Sequence, residues 1–138
     1  MDRDQSQLQL LYEGMRKRLV SKVVIISNSR ILLLQKNGSL KWELPGGHLE
    51  PKESFKQAAK REVREETRLV IDKSRLEKVD KTKDGEYIQV VYKYHLAGKD
   101  TVKISDEHVD YRWVSQPELD KLSLTSSTNH LAIVSSYN

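Results

Sequence analysis

Two unbroken apolar runs stand out along the chain, residues 23–26 and 31–34, each rich in branched side chains. A short apolar run without polar alternation fits a strand covered on both faces. Residues 23–27 and 30–36 are therefore predicted as neighbouring buried strands, joined by a polar turn at Asn28-Ser29. Asn37-Gly38 is the next turn signal. Residues 87–97 alternate, with Ile88, Val90, Tyr92, Tyr94 and Leu96 on one side, which predicts a long strand with one wetter face. Residues 76–81 read as a strand before the Asp84-Gly85 turn, and residues 102–104 as a brief strand segment. Val109, Tyr111 and Trp113 alternate as a further strand.

Helical spacing recurs in several places. Leu8, Leu11, Met15 and Leu19 suggest a helix over residues 5–18, although Gly14 weakens it. Pro117 opens a short helix with Glu118 and Leu119. Thr128 reads as the N-cap of a final helix to residue 137, with Leu131, Ala132, Ile133 and Val134 as its apolar core. The most informative helix spans residues 54–67, where no Gly or Pro interrupts a run of good helix formers, and Pro51 suits its first turn. At about 100° per residue, Phe55, Ala58, Ala59, Glu62, Glu66 and Leu69 share one side, with Val63 and Glu65 at its edges. Lys56, Gln57, Lys60, Arg61, Arg64 and Arg68 take the other side.

On an ordinary amphipathic helix the acids join the bases on the wet face. An acid-rich helix is most simply a solvated one, and Arg61 with Glu65 has the spacing of a surface pair. Here, however, Glu62 and Glu66 lie with the small and apolar residues. Carboxylates turned inward are desolvated and repel one another. A divalent cation relieves both effects, and oxygen ligands suit a hard ion such as Mg²⁺ or Mn²⁺. Just before the helix lies the pair Gly46-Gly47, where a backbone can approach closely.

This stretch resembles the signature box of the Nudix hydrolases: Gly, five residues, Glu, seven residues, Arg-Glu, an aliphatic residue, any residue, Glu-Glu, any residue, Gly, an aliphatic residue. Gly47, Glu53, Arg61, Glu62, Val63, Glu65, Glu66 and Leu69 fill it. Arg68 stands where that pattern has Gly, a position near a helix C-terminus where left-handed backbone is common. An Arg there strains the cap by about 1 kcal/mol unless the helix ends differently.

The resemblance implies one domain over residues 1–138, an α/β/α sandwich with a mixed sheet between helices. It also implies metal-dependent hydrolysis of a phosphoanhydride in a nucleoside diphosphate derivative. Glu62, Glu65 and Glu66 would be ligands to Mg²⁺ or Mn²⁺, with Glu53 supporting and the Gly46 carbonyl contributing. Arg61 would orient the carboxylates, and Glu107 would be a further ligand or the general base, with His108 as its nearest competitor. A helix glutamate could serve as base instead. His48 reads as a loop or substrate-contact residue. Trp42, Tyr87, Tyr111 and Trp113 are available to stack on a base, or to pack in the core.

The lead-in Trp-Glu-Leu-Pro-Gly-Gly at residues 42–47 is similar to that of mutator-type nucleoside triphosphate pyrophosphohydrolases, and a triphosphate is the first expectation for substrate. The stretch from Glu107 to Trp113 is similar to that of diadenosine polyphosphate hydrolases. ADP-ribose or an ADP-sugar is a third option. A non-catalytic nucleotide-binding module is the alternative of another class, although it would not need the full set of glutamates.

Composition narrows the context. With 138 residues the chain is long enough for a real core, and 32% charged residues fit a polar globular protein. The absence of cysteine excludes disulfides and thiolate chemistry and fits a reducing, cytoplasmic setting. No apolar run approaches the ~20 residues of a membrane span, and no secretory signal is visible in the first residues. The net charge of +4 is compatible with a small polyanionic substrate. The basic cluster Arg16, Lys17, Arg18 and Lys22 reads as a solvated run ahead of the first strand, and no nucleic-acid-binding motif is present. The expected state is a monomer or homodimer.

Overall fold

The computed structural model describes Gln7, residues 18–98 and residues 100–137. The helix expected over residues 5–18 lies outside these, apart from Gln7 and Arg18. The described elements run β1 (Leu19–Ser27), β2 (Arg30–Lys36), β3 (Trp42–Glu43), β4 (Gly46–His48), α1 (Phe55–Thr67), β5 (Glu77–Asp84), β6 (Tyr87–His95), β7 (His108–Val114), α2 (Gln116–Leu119) and α3 (His130–Ser136).

The Asn28-Ser29 turn closes with both residues at positive φ, 50° and 60°, the conformation that matches strand twist in a two-residue hairpin. From there β1 and β2 pair only at Ile26↔Ile31 and Ser27↔Arg30, and then diverge. The gap is filled from one later segment. β3 pairs with β2 through Leu34↔Glu43 and Gln35↔Trp42, and β4 pairs with β1 through Val20↔His48, Ser21↔Gly47 and Lys22↔Gly46. Pro45 between them accepts a hydrogen bond from the Val23 N–H at 2.9 Å. This wedge brings Glu43, Gly46 and Gly47 into the middle of the sheet. β6 runs parallel to β1 on its other edge, β5 lies beyond β6, and β7 takes the outer edge of β2.

Strand alternation sorts the buried side chains into two layers. Val23, Ile25, Leu32, Leu34, Val90, Tyr92 and Tyr94 face Ala59 and Val63 of α1. Val24, Ile26, Ile31, Leu33 and Val91 face Leu119 of α2 and Ala132 and Ile133 of α3. The sheet is mixed and covered on both sides, an α/β/α sandwich, which is why the two apolar runs carry no polar alternation. Each fully buried branched side chain contributes about 1.5–3 kcal/mol, and Ile25→Ala, in the middle of the first layer, would cost about 2–5 kcal/mol.

Several local expectations are corrected. β6 has no wetter side in its centre, because β1 and β5 flank it and both layers cover it; Gln89 and Val91 are buried. Residues 102–104 are not a strand. Instead Lys103 N–H donates to Thr67 O (2.9 Å) and Ser105 N–H to Glu66 O (3.3 Å), satisfying carbonyls at the α1 C-terminus that have no intrahelical partner. Pro51 lies in a turn before α1. The helix starts after Ser54, whose side chain accepts from Gln57 N–H while Gln57 returns a bond to the Ser54 N–H. The N-cap of α3 is Asn129, not Thr128, and Leu131 is 79% exposed. Arg68 ends α1 in the left-handed region, at φ 66°.

Candidate active site

The face of α1 that meets the sheet is apolar at Ala58, Ala59 and Val63, and the next positions around it carry Glu62 and Glu66. Both acids lie against the β4 backbone, and the two glycines make this possible. Gly46 N–H donates to Glu66 Oε1 at 2.7 Å. A Cβ on Gly46, whose φ is 141°, would fall 2.1 Å from the Ser21 carbonyl oxygen. A Cβ on Gly47 would fall 2.7 Å from the Glu62 carboxyl carbon.

Glu66 is only 4% exposed. Burial pushes its carboxyl up to about 8, outweighing the Gly46 N–H and the attraction of Lys22. Burial also raises Glu62, against the opposing bond from Arg61. A cation beside two acids so placed would favour their charged forms.

Arg61 fixes the rim of the site. Its Nε and Nη2 fork onto Glu53 at 2.7 and 2.9 Å, and its Nη1 reaches Glu62 at 2.9 Å and Glu65 at 3.2 Å. Nη2 also donates to the His48 carbonyl at 3.0 Å. Bonding to Glu53 first, and to Glu62, holds the guanidinium far above its ordinary range. A bidentate fork of this kind ties the loop after β4 to the helix. Glu53 and Glu65 are thus engaged by Arg61, and Glu65 is largely exposed.

Two further residues enter from the sheet and the β7 loop. His108 is buried, with Nε2 2.8 Å from Glu43 Oε2 and 3.9 Å from Glu66 Oε2. Burial pushes the Glu43 carboxyl up, but the His108 bond, Lys22 and Lys36 together hold it below its ordinary value. An ionised Glu43 makes His108 Nε2 the donor, and leaves His108 Nδ1 buried without a hydrogen-bond partner among the described residues. Lys22, itself buried, lies 3.9 Å from Glu43 and donates to the Leu44 carbonyl at 3.3 Å. The ligand atoms of Glu43, Glu66 and His108 fall within 4.8 Å of one another, close enough to share a metal ion. Sequence reasoning passed over Glu43. Its signal was strand parity: Trp42 and Leu44 point into the α2–α3 layer, so Glu43 must point to the α1 side.

These groups surround a cleft of about 390 Å³, lined by Lys22, Lys36, Glu43, Gly46, His48, Glu62, Glu66, Tyr87 and Glu107 among others. Of the expected site residues, Gly46, His48, Glu62, Glu66, Tyr87 and Glu107 therefore meet in one place. Glu53, Arg61 and Glu65 stand behind its rim. Trp42 does not reach it: the ring is 4% exposed, packed in the α2–α3 layer, with Arg112 5.0 Å from its centroid. Tyr111 is on β7, partly exposed and outside the cleft lining. Burial, then Lys22, lowers the His48 imidazole.

The NUDIX domain family model matches residues 16–133. The chain belongs to the Nudix family. The asymmetrical bis(5'-nucleosyl)-tetraphosphatase of Sus scrofa is 34% identical over 117 residues, covering 78% of this chain and 78% of that protein. An Ap4A hydrolase from C. elegans, solved as a binary complex, is 26% identical with a TM-score of 0.63, covering 75% of this chain and 85% of that one. A MutT/nudix family protein from Enterococcus faecalis shares the fold at 21% identity and a TM-score of 0.62. That match covers 80% of this chain, which spans only 51% of the Enterococcus protein. The chain is a Nudix hydrolase. Members of this family work with divalent metal ions, and the carboxylates of the cleft, with one imidazole, form a donor set that fits a hard cation. Among the described residues, no helix of this Nudix hydrolase is long and apolar enough to cross a membrane.

Proposed function

We propose that this Nudix hydrolase cleaves a phosphoanhydride bond in a dinucleoside polyphosphate, with Mg²⁺ or Mn²⁺. The observation that carries this is the composition of the cleft wall, where Glu43, Glu62, Glu66 and Glu107 face Lys22 and Lys36. A polyphosphate alone would be repelled by the acids, and a cation alone would not need the lysines. A cation–polyphosphate complex suits both. The substrate class is taken from the Sus scrofa tetraphosphatase, to which so much of the chain is similar.

Glu62, Glu66 and the Gly46 carbonyl would hold the cation, joined by Glu65 from behind the rim, with Glu53 supporting through Arg61. A divalent ion bound there would supply charge neutralisation on the anhydride and a more acidic water. Lys22 and Lys36 bind phosphate oxygens. Glu107, exposed at the mouth, takes the proton of the attacking water. The water oxygen bonds to phosphorus as the anhydride bond breaks, and the leaving phosphate keeps that electron pair. His48 and Tyr87, at the edges of the cleft, contact the nucleoside.

The test is incubation of the full chain with dinucleoside polyphosphates, nucleoside triphosphates and ADP-sugars, with Mg²⁺ or with EDTA, and products identified by mass. The expected result is asymmetric cleavage of a dinucleoside tetraphosphate to a triphosphate and a monophosphate, abolished by EDTA. The lead-in at residues 42–47 favours a second reading, a triphosphate cleaved to a monophosphate and pyrophosphate, and the same panel separates the two. Nucleotide binding with no product in any reaction would leave only a binding module.

A further inference from the structure

Beside the catalytic cleft lies a second hollow of about 440 Å³, between the β2–β3 turn and the loop at residues 125–127. Lys36, Glu43 and Ser127 line both, so the two hollows adjoin; together they are the trough. The second hollow has a different lining. Among the described residues Glu43 is its one acid, and that carboxylate is already engaged by His108. The rest of its wall is Lys36 and Lys41, the polar turn of residues 37–39, and the hydroxyl run Thr125-Ser126-Ser127. Among the described residues, no large apolar side chain lines it.

Both walls are held in place. Asn37 N–H donates to the Glu107 carbonyl at 2.9 Å, and Ser39 N–H to the Lys36 carbonyl at 3.1 Å. The opposite loop is closed by a Thr125–Thr128 hydroxyl contact of 2.7 Å and by Gln89 donating to the Ser127 carbonyl at 2.7 Å. A wall of cationic ammonium and hydroxyl donors, carried on a hydrogen-bonded backbone, suits phosphate oxygens and ribose hydroxyls. Cations held by Glu62 and Glu66 would screen only the phosphates next to the bond being cut.

We propose that this hollow is a subsite for the distal phosphates and second nucleoside of a long polyphosphate, with Lys36 at the junction and Lys41 at the far end. The inference rests on the proposed reaction and deepens it: the trough selects for chain length. A dinucleoside tetraphosphate engages both hollows, whereas a nucleoside triphosphate occupies the catalytic cleft alone.

The test uses two variants at exposed positions, Lys41→Gln and Ser126→Asp, the second placing a negative charge in the wall. Binding of methylene-bridged, uncleavable analogues of a dinucleoside tetraphosphate and of a nucleoside triphosphate is measured by calorimetry with Mg²⁺. Turnover of the natural compounds is followed in parallel. Each variant is expected to weaken the tetraphosphate analogue about tenfold, leaving the triphosphate analogue and its turnover within twofold of the parent. Equal losses for both analogues, or none for the longer one, overturn the subsite while parental turnover of the tetraphosphate upholds the proposed reaction. A parent that cleaves no polyphosphate overturns the reaction, and the subsite with it.

Discussion

Replacing Glu66 by Gln separates what this side chain does for stability from what it does for chemistry. The amide is nearly isosteric and its oxygen can still accept the Gly46 N–H, so the fold should survive. What disappears is a charge that the site does not favour in the absence of a cation. In the folded protein the carboxyl is raised from an ordinary 4.5 to about 8, so across that window the folded chain holds a proton that the unfolded chain has released. Stability from this group is fully present below pH 4.5 and is lost as pH rises through 8. At about 1.4 kcal/mol per pH unit, the loss is on the order of 5 kcal/mol, or on the order of 15 °C in melting temperature for a chain of this size. Thermal melts from pH 5 to 9 in EDTA should show the parent falling steeply and Glu66→Gln falling much less. Mg²⁺ should restore the parent at high pH, since a bound cation replaces the proton, and should do little for the variant. Turnover of the variant should drop by orders of magnitude. Parallel pH–stability curves for the two proteins would refute the assignment of a buried, charge-strained Glu66.

The glycine preceding the box position of Glu53 offers a cleaner lesion of the site. Gly47→Ala sets a methyl 2.7 Å from the Glu62 carboxyl carbon at ordinary φ, so it should displace Glu62 with little change in melting temperature. Mg²⁺ affinity by calorimetry should fall about tenfold or more; an unchanged affinity would remove Glu62 from the ligand set. At the other end of the helix, Arg68→Gly relieves left-handed backbone at φ 66° and should stabilise the protein by about 1 kcal/mol in urea unfolding, without altering turnover.

The helix part of the candidate site was legible because it is local. Glu62 and Glu66 share a helix face by spacing alone, and Arg61 lies within one turn of Glu62 and Glu65. The hairpin of β1 and β2 was legible because double burial leaves an unbroken apolar run. The wedge was not, since β3 and β4 are two and three residues long, too short to show any period. Glu43 and His108 are 65 positions apart, and only the β2–β7 and β2–β3 pairings bring them together. Trp42 shows the limit for aromatics: a ring that could stack on a base and a ring that fills a core have the same spelling. Residues 102–104 failed as a strand because the carbonyls they pair with belong to a helix end rather than to a sheet.

That attachment has mechanical weight. Through Ser105, the peptide leading to Glu107 is fastened to the carbonyl of Glu66 itself, while Asn37, in the turn after β2, grips the Glu107 carbonyl. Acids contributed by a helix and by a distant loop are therefore tied together through these two backbone bonds. Lengthening the chain near residues 98–100 should leave their separation intact, whereas one inserted residue between 103 and 107 should uncouple them even though neither acid is altered.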